Sequence, residues 1–336
     1  MPDFSRSFPV LVVATATGLA LTGCAASPDS ASNEGLSIVA STNVYGDVAA
    51  SIAGDLATVT SIIDSPAQDP HSYEASAQDQ LAIANADLVI ENGGGYDPFV
   101  DLLIEGSGTD AVVISAVAAG GLLEESEDAH SDEEGEDAHS DEEEGDDHAE
   151  EGEDDGHGHG EGANEHVWYD VHVMGAIAGA IAEALIELDA DNAATYEENL
   201  EVFEAELETV EAQLEELADS LGGGVVASTE PVPAYLLAEL GLDDETPADF
   251  LEAIEEGADV PPLALQETLE LIESGKVRML AYNEQTASPE TERVREAAEA
   301  AGVPVVSFTE TLPETEDYVS WMSANIEAVG AALTDA

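Results

Sequence analysis

Basic side chains are almost absent from this chain. Arg6, Lys276, Arg278, Arg293 and Arg295 stand against 76 acids in 336 residues, a formal net charge of −71. A surface so negative cannot neutralise phosphates, which excludes nucleic-acid binding. Cysteine is equally scarce: Cys24 is the only one, so an intramolecular disulfide and a thiolate metal cluster are both excluded. The apolar run from Val10 to Leu21 is too short to span a bilayer. Acidity is spread along the chain, with 21 acids between residues 124 and 163 and 55 elsewhere. That excess fits a surface adapted to high ionic strength, or one kept acidic for solubility alone.

What is present begins with an address. Arg6, the apolar run and Leu21-Thr22-Gly23-Cys24 together resemble a bacterial signal peptide ending in a lipobox. The resemblance implies cleavage before Cys24, lipidation of that cysteine, and anchoring to the outer face of the bacterial cell membrane. Residues 1–23 are then the signal peptide and 24–35 a tether of Ser, Ala, Asn, Pro and Asp with no core-forming pattern.

A hydrophobic content of 44% is enough for two lobes. From Leu36, short continuous apolar runs alternate with helical patterns: Leu36–Ser41, Thr58–Ile63, Leu88–Ile90 and Ala111–Ile114 read as strands, with helices over Val44–Ala53 and Ala77–Ala84. Strands apolar on both faces predict a parallel sheet flanked by helices. The expected N-terminal α/β lobe covers 36–190. Residues 191–221 form a helix long enough to bridge lobes, and 222–336 form a C-terminal α/β lobe with a variable segment around Pro247, Pro261 and Pro262.

Residues 124–163 interrupt the first lobe. They carry no Lys or Arg and almost nothing apolar, so they are expected to be disordered. The segment Glu127-Asp128-Ala129-His130-Ser131-Asp132-Glu133-Glu134 recurs at 136–143, and His130, His139, His148 and His157 share a nine-residue register, with His159 beside the last. These five imidazoles among acids form a candidate low-affinity, accessory metal collector; the alternative is a solvated spacer.

Imidazole nitrogen and carboxylate oxygen are the donors that hold divalent first-row metals, and in α/β proteins such groups converge in loops after strands. Four loops offer them: His71 after Pro70, His166 before Trp168, Glu230 before Pro231, and Glu310 ahead of Pro313. Each alone is ordinarily a solvated loop residue. Their shared placement at sheet ends in both halves is what groups them.

Asp69-Pro70-His71-Ser72-Tyr73-Glu74, His166-Val167-Trp168-Tyr169-Asp170, Thr229-Glu230-Pro231, Tyr282-Asn283-Glu284-Gln285-Thr286 and Phe308-Thr309-Glu310-Thr311-Leu312-Pro313, in this order, resemble the metal-binding lipoproteins of zinc and manganese ABC importers. The resemblance runs from about Leu36 to the C-terminus. It implies two α/β lobes with parallel sheets, bridged by one long helix, with metal in the interlobe cleft. His71, His166, Glu230 and Glu310 are the implied ligands. Glu310 stands where the family usually has Asp, one methylene shorter, and Val171 where Pro is common. The implied cargo is Zn²⁺, with Mn²⁺ next, and the implied partners are an ABC permease and its ATPase, served by a monomer. A surface metal buffer or adhesin is the competing reading. A metal-dependent hydrolase is disfavoured, because no His-Glu-x-x-His pattern or general-base constellation accompanies the ligands.

Overall fold

The computed structural model describes residues 35–68, 70–122 and 164–334. Expectations for Cys24, the leader, Asp69 and the histidine tract lie outside the described residues. In the N-terminal lobe, β1 (Leu36–Thr42), α1 (Asn43–Ala53), β2 (Ala57–Ile63), α2 (Ala77–Ala84), β3 (Leu88–Glu91), α3 (Pro98–Ser107), β4 (Val112–Ser115) and the short α4 (Ala116–Ala119) follow one another. All strand pairs are parallel, in the order β2-β1-β3-β4, with Ile38 opposite Val59 on one side and Leu88 on the other. Ile38, Ala40, Leu88 and Ile90 face one core, and Val39, Ile63 and Val89 the other. Continuous apolar runs are what such two-sided burial requires. At the sheet edge, Val112 and Val113 remain partly exposed.

From residue 164, a single 3₁₀ turn over Val167–Tyr169 leads into α5 (Val171–Leu188) and then α6 (Ala193–Leu221). Helix α5 starts at Val171, where the Asp170 side chain accepts the Val173 N–H at 3.0 Å as an N-cap. Helix α6 has 29 residues, ~43 Å at ~1.5 Å per residue. It buries Tyr196, Phe203, Leu207, Val210, Leu214 and Leu221 along one stripe, and Gly222 ends it at φ 67°.

The second lobe repeats the winding of the first. It contains β5 (Gly224–Ser228), α7 (Ala234–Glu239), β6 (Leu242–Asp244), α8 (Ala248–Glu255), α9 (Pro262–Glu273), β7 (Val277–Asn283), α10 (Pro289–Ala301), β8 (Val305–Phe308) and α11 (Tyr318–Thr334). Its parallel order, β6-β5-β7-β8, matches that of the first sheet. Strand β6 and helix α8 fill the segment expected to be variable. Strand β6 is a three-residue edge whose Asp243 and Asp244 are exposed, and α8 buries only Phe250, Ala253 and Ile254. Elements this short and acidic leave little apolar period to detect.

Helix α6 links the lobes, and the core passes through it. One continuous cluster of buried side chains joins Ile38 and Ile90 of the first sheet, Ile177 and Ile181 of α5, Phe203 and Val210 of α6, and Met279 and Phe308 of the second sheet. Tyr318 at the start of α11 donates its hydroxyl to the Trp168 carbonyl at 2.7 Å, inside this cluster.

Candidate metal centre

Loops at the carboxyl ends of β2, β5 and β8, together with the turn before α5, carry the four sequence-identified side chains. Pro70 is buried beneath the β2 loop, and Tyr73 holds it by ring contact with Phe99, centroids 4.9 Å apart. Ser76 and Asp79 form a capping box on α2 that ends the loop. The second histidine is placed by aromatic packing: Trp168 and Tyr169 are fully buried, and the Trp168 ring lies 5.2 Å from that of His166.

The fold brings three of the four together. Ligand atoms of His71, His166 and Glu310 all lie within 4.8 Å of one another. His71 Nε2 is 3.7 Å from Glu310 Oε2. Glu310 and His166 are each 1% exposed, whereas the His71 ring keeps 17% of its surface. Glu230, also buried, is not in that group. Its Oε2 accepts hydrogen bonds from Asn283 Nδ2 at 2.5 Å and from the Thr286 hydroxyl.

Both carboxylates and the His166 imidazole are held from behind. Asn283 Nδ2 also donates to Glu310 Oε1 at 2.7 Å, so one amide group spans both acids of the second lobe. Tyr96, from the first lobe, donates its hydroxyl to Glu310 Oε2 at 3.1 Å. Burial and the neighbouring Glu310 push the Tyr96 hydroxyl well above its usual range, so it stays a donor. The Gln285 side-chain oxygen accepts the Glu310 backbone N–H at 2.6 Å.

His166 is oriented by Asn164. The Asn164 Oδ1 accepts the His166 backbone N–H at 3.1 Å and lies 2.6 Å from His166 Nδ1, while its Nδ2 donates to the Pro231 carbonyl of the other lobe at 2.9 Å. An oxygen that accepts a backbone N–H also accepts from the ring, so Nδ1 carries the proton and Nε2 keeps the lone pair a metal needs. Burial, and next the His71 ring, hold His166 well below the ordinary histidine range. A neutral imidazole in a dry cleft is a ready ligand.

Two further acids border the cleft. Glu165 Oε1 lies 3.8 Å from His71 Nδ1, and Glu255 Oε1, from the end of α8, lies 3.7 Å from His166 Nδ1. Burial, followed by Glu165 and Glu230, raises Glu255 to about 8. Negative charge is therefore crowded here, and a cation would relieve it. Sequence reasoning passed over Tyr96, Asn164, Glu165, Glu255 and the bridging role of Asn283. Asn283 was visible in its motif at the end of β7, and Asn164 two residues before His166. Glu165 and Glu255 carried no signal among 76 acids.

Two parallel α/β lobes joined by one long helix, with two imidazoles and a carboxylate converging at the sheet ends, define a two-lobed solute-binding protein with an ion-sized cleft. The family model described as zinc-uptake complex component A, periplasmic, matches residues 38–332, and the chain belongs to that family. Its members are solute-binding proteins of metal ABC transporters, not enzymes. The chain is 30% identical over 198 residues to the manganese-binding lipoprotein MntA of Halalkalibacterium halodurans, covering 58% of this chain and 53% of that protein. It is 24% identical to the manganese ABC transporter substrate-binding lipoprotein ScaA of Streptococcus gordonii, over 97% of this chain and 98% of that one. In three dimensions it resembles the periplasmic zinc binding protein TroA of Treponema pallidum, with a TM-score of 0.66 and 18% identity over 88% of this chain and 98% of that one.

Proposed function

We propose that this protein captures a divalent transition metal outside the cytoplasmic membrane and delivers it to an ABC permease driven by its ATPase. The convergence of His71, His166 and Glu310 within 4.8 Å carries this reading. Two imidazoles and one or two carboxylates give a compact, nearly charge-balanced set for M²⁺. Glu230 joins as the fourth ligand if Asn283 and Thr286 release one of its oxygens. Lipid attachment through Cys24 holds the protein at the membrane as a monomer, and the histidine tract collects additional ions weakly.

Zinc is the proposed cargo. Two imidazoles among three gathered donors favour a borderline ion over a harder one. Manganese is the second reading, supported by the names of the two relatives above and by the carboxylates that crowd the cleft. Competition titration of purified protein with Zn²⁺ and Mn²⁺ tests the order. Tighter Mn²⁺ binding would overturn the zinc assignment, and failure to bind either ion would overturn the function. Deleting residues 124–163 should leave the tight site intact and remove weaker zinc equivalents.

A further inference from the structure

His71 presents two ring nitrogens to two different groups. Its Nε2 faces Glu310 at 3.7 Å, in the inner trio with His166. Its Nδ1 faces Glu165 at 3.8 Å, and ligand atoms of His71, Glu165 and Glu255 also lie within 4.8 Å of one another. We propose that His71, Glu165 and Glu255 form an outer divalent-cation position, occupied before the inner one and sharing the His71 imidazole with it. This rests on the metal-capture reading above and adds the path by which the ion arrives.

Three observations support it. The donor set, one nitrogen and two carboxylates, is of the kind that holds a divalent ion weakly, with water as the remaining ligands. A gradient of exposure runs from one position to the other. The Glu165 and Glu255 side chains keep 18% and 21% of their surface, against 1% for His166 and Glu310. An ion at the outer position therefore keeps part of its hydration and sheds the rest only on moving inward. Finally, Glu255 and Thr286 both line a cavity of about 340 Å³ that opens to solvent, and Thr286 is hydrogen-bonded to Glu230. Glu255 is thus reached from a solvent-open cavity on its own side of the cleft.

The outer donors are also held in place. Asn92 donates from Nδ2 to the Glu165 carbonyl at 3.0 Å, and the Asn92 Oδ1 accepts the Tyr45 hydroxyl in the buried core. Glu255 closes α8, whose Phe250 and Ile254 are buried. The shared ring makes the two positions alternatives. A neutral imidazole has one lone pair, so the ion occupies the nitrogen that carries it, while the other N–H points at the carboxylate across the ring. Transfer inward moves one ring proton from Nε2 to Nδ1 and changes no net charge.

Mn²⁺ alone serves as the probe. In Glu310→Ala, the inner trio is broken and the tight site is lost. A weaker equivalent should remain, with anomalous scattering on the Nδ1 side of His71. Adding Glu165→Gln and Glu255→Gln should weaken that residual binding about tenfold or more. Residual Mn²⁺ unaffected by the two glutamines, or anomalous density confined to the Nε2 side, would overturn the outer position. Brief Mn²⁺ soaks of wild-type apo crystals give a check free of substitutions: density should appear first beside Glu165 and Glu255 and later beside Glu310. Density at the inner trio at every time point would overturn the order. If wild-type protein binds no Mn²⁺ or Zn²⁺, it is the capture function that fails, and the two failures are distinct.

Discussion

Asn164 Oδ1 lies 2.6 Å from His166 Nδ1 and accepts the His166 backbone N–H as well. One short side chain thereby sets both the tautomer and the plane of a buried ligand, while its amide nitrogen reaches the Pro231 carbonyl in the opposite lobe. Asn164→Ala should fold normally and lose about 10–100-fold in metal affinity, the range found when a ligand histidine loses its hydrogen-bond partner. Chelator competition on the purified variant measures it. Affinity within twofold of wild type would show that Asn164 does not govern the ring.

Glu310 and Glu230 make different predictions although both are buried acids of the second lobe. Glu310 shares the cluster with both histidines, so Glu310→Gln should weaken metal binding by about 100-fold or more, on the order of 3 kcal/mol. Glu230→Gln should cost less, because its Oε2 is already committed to Asn283 and Thr286. Equal losses in the same titration would mean that Glu230 moves fully into the coordination sphere when the ion arrives.

Asn283 donates to both acids through one nitrogen. Removing it leaves two buried carboxylates short of a donor, at about 1–3 kcal/mol each. Asn283→Ala should lower the Tm of the metal-free protein by several degrees. The loss should be smaller with metal bound, since the cation takes over the charge. Scanning calorimetry with and without one equivalent of Zn²⁺ tests the difference, and an equal drop in both states would contradict it.

Glu91, at the end of β3, sits half-buried near Asp97 and Asp101. Burial first, and those charges next, raise it from 4.5 to about 7. A carboxyl raised in the folded state favours folding while protonated, and its contribution is lost as pH rises through the folded value. Stability attributable to Glu91 should therefore be full below about pH 4.5 and gone above about pH 7. Glu91→Gln should raise Tm relative to wild type most at pH 8 and least at pH 4.5. Thermal melts at the two values decide it, and a gain independent of pH would reject the assignment.

Leu207 is 3% exposed in the middle of α6 and packs in the cluster shared by both lobes. Leu207→Ala should cost about 2–5 kcal/mol of stability through the cavity it leaves, with metal affinity of the folded protein near the wild-type value. Denaturant unfolding and metal titration on the same sample separate the two effects. A large loss of affinity would assign this part of α6 a role in shaping the cleft.

The first sheet was legible because two-sided burial writes itself as unbroken apolar runs: Leu36–Thr42, Ala57–Ile63 and Leu88–Glu91 lie within a residue or two of the runs that announced them. Helix α6 was equally plain, with Phe203, Leu207, Val210 and Leu214 at helical spacing and Gly222 after them. Strand β6 and helix α8 were not, since an edge strand ending in Asp243-Asp244 and a helix of eight residues bury too few side chains to impose a period. At the site, motifs pointed to His71, His166, Glu230 and Glu310 alike. What motifs do not encode is distance: the three-dimensional arrangement draws Glu310 against His71 and sets Glu230 among its own donors. Glu165 and Glu255 show the same limit, because in so acidic a chain only folding distinguishes two cleft acids from their solvated neighbours.

The continuous cluster of buried side chains that runs through α5, α6 and both sheets bears on how the molecule melts. Lobes with separate interiors could lose structure one at a time and show two heat-absorption peaks. Here the largest of the buried clusters draws on both sheets, and the described residues of both lobes fall in one compact unit. Unfolding should therefore be all-or-none, with calorimetric and van't Hoff enthalpies in agreement, and a bound ion should shift a single transition upward by mass action without splitting it.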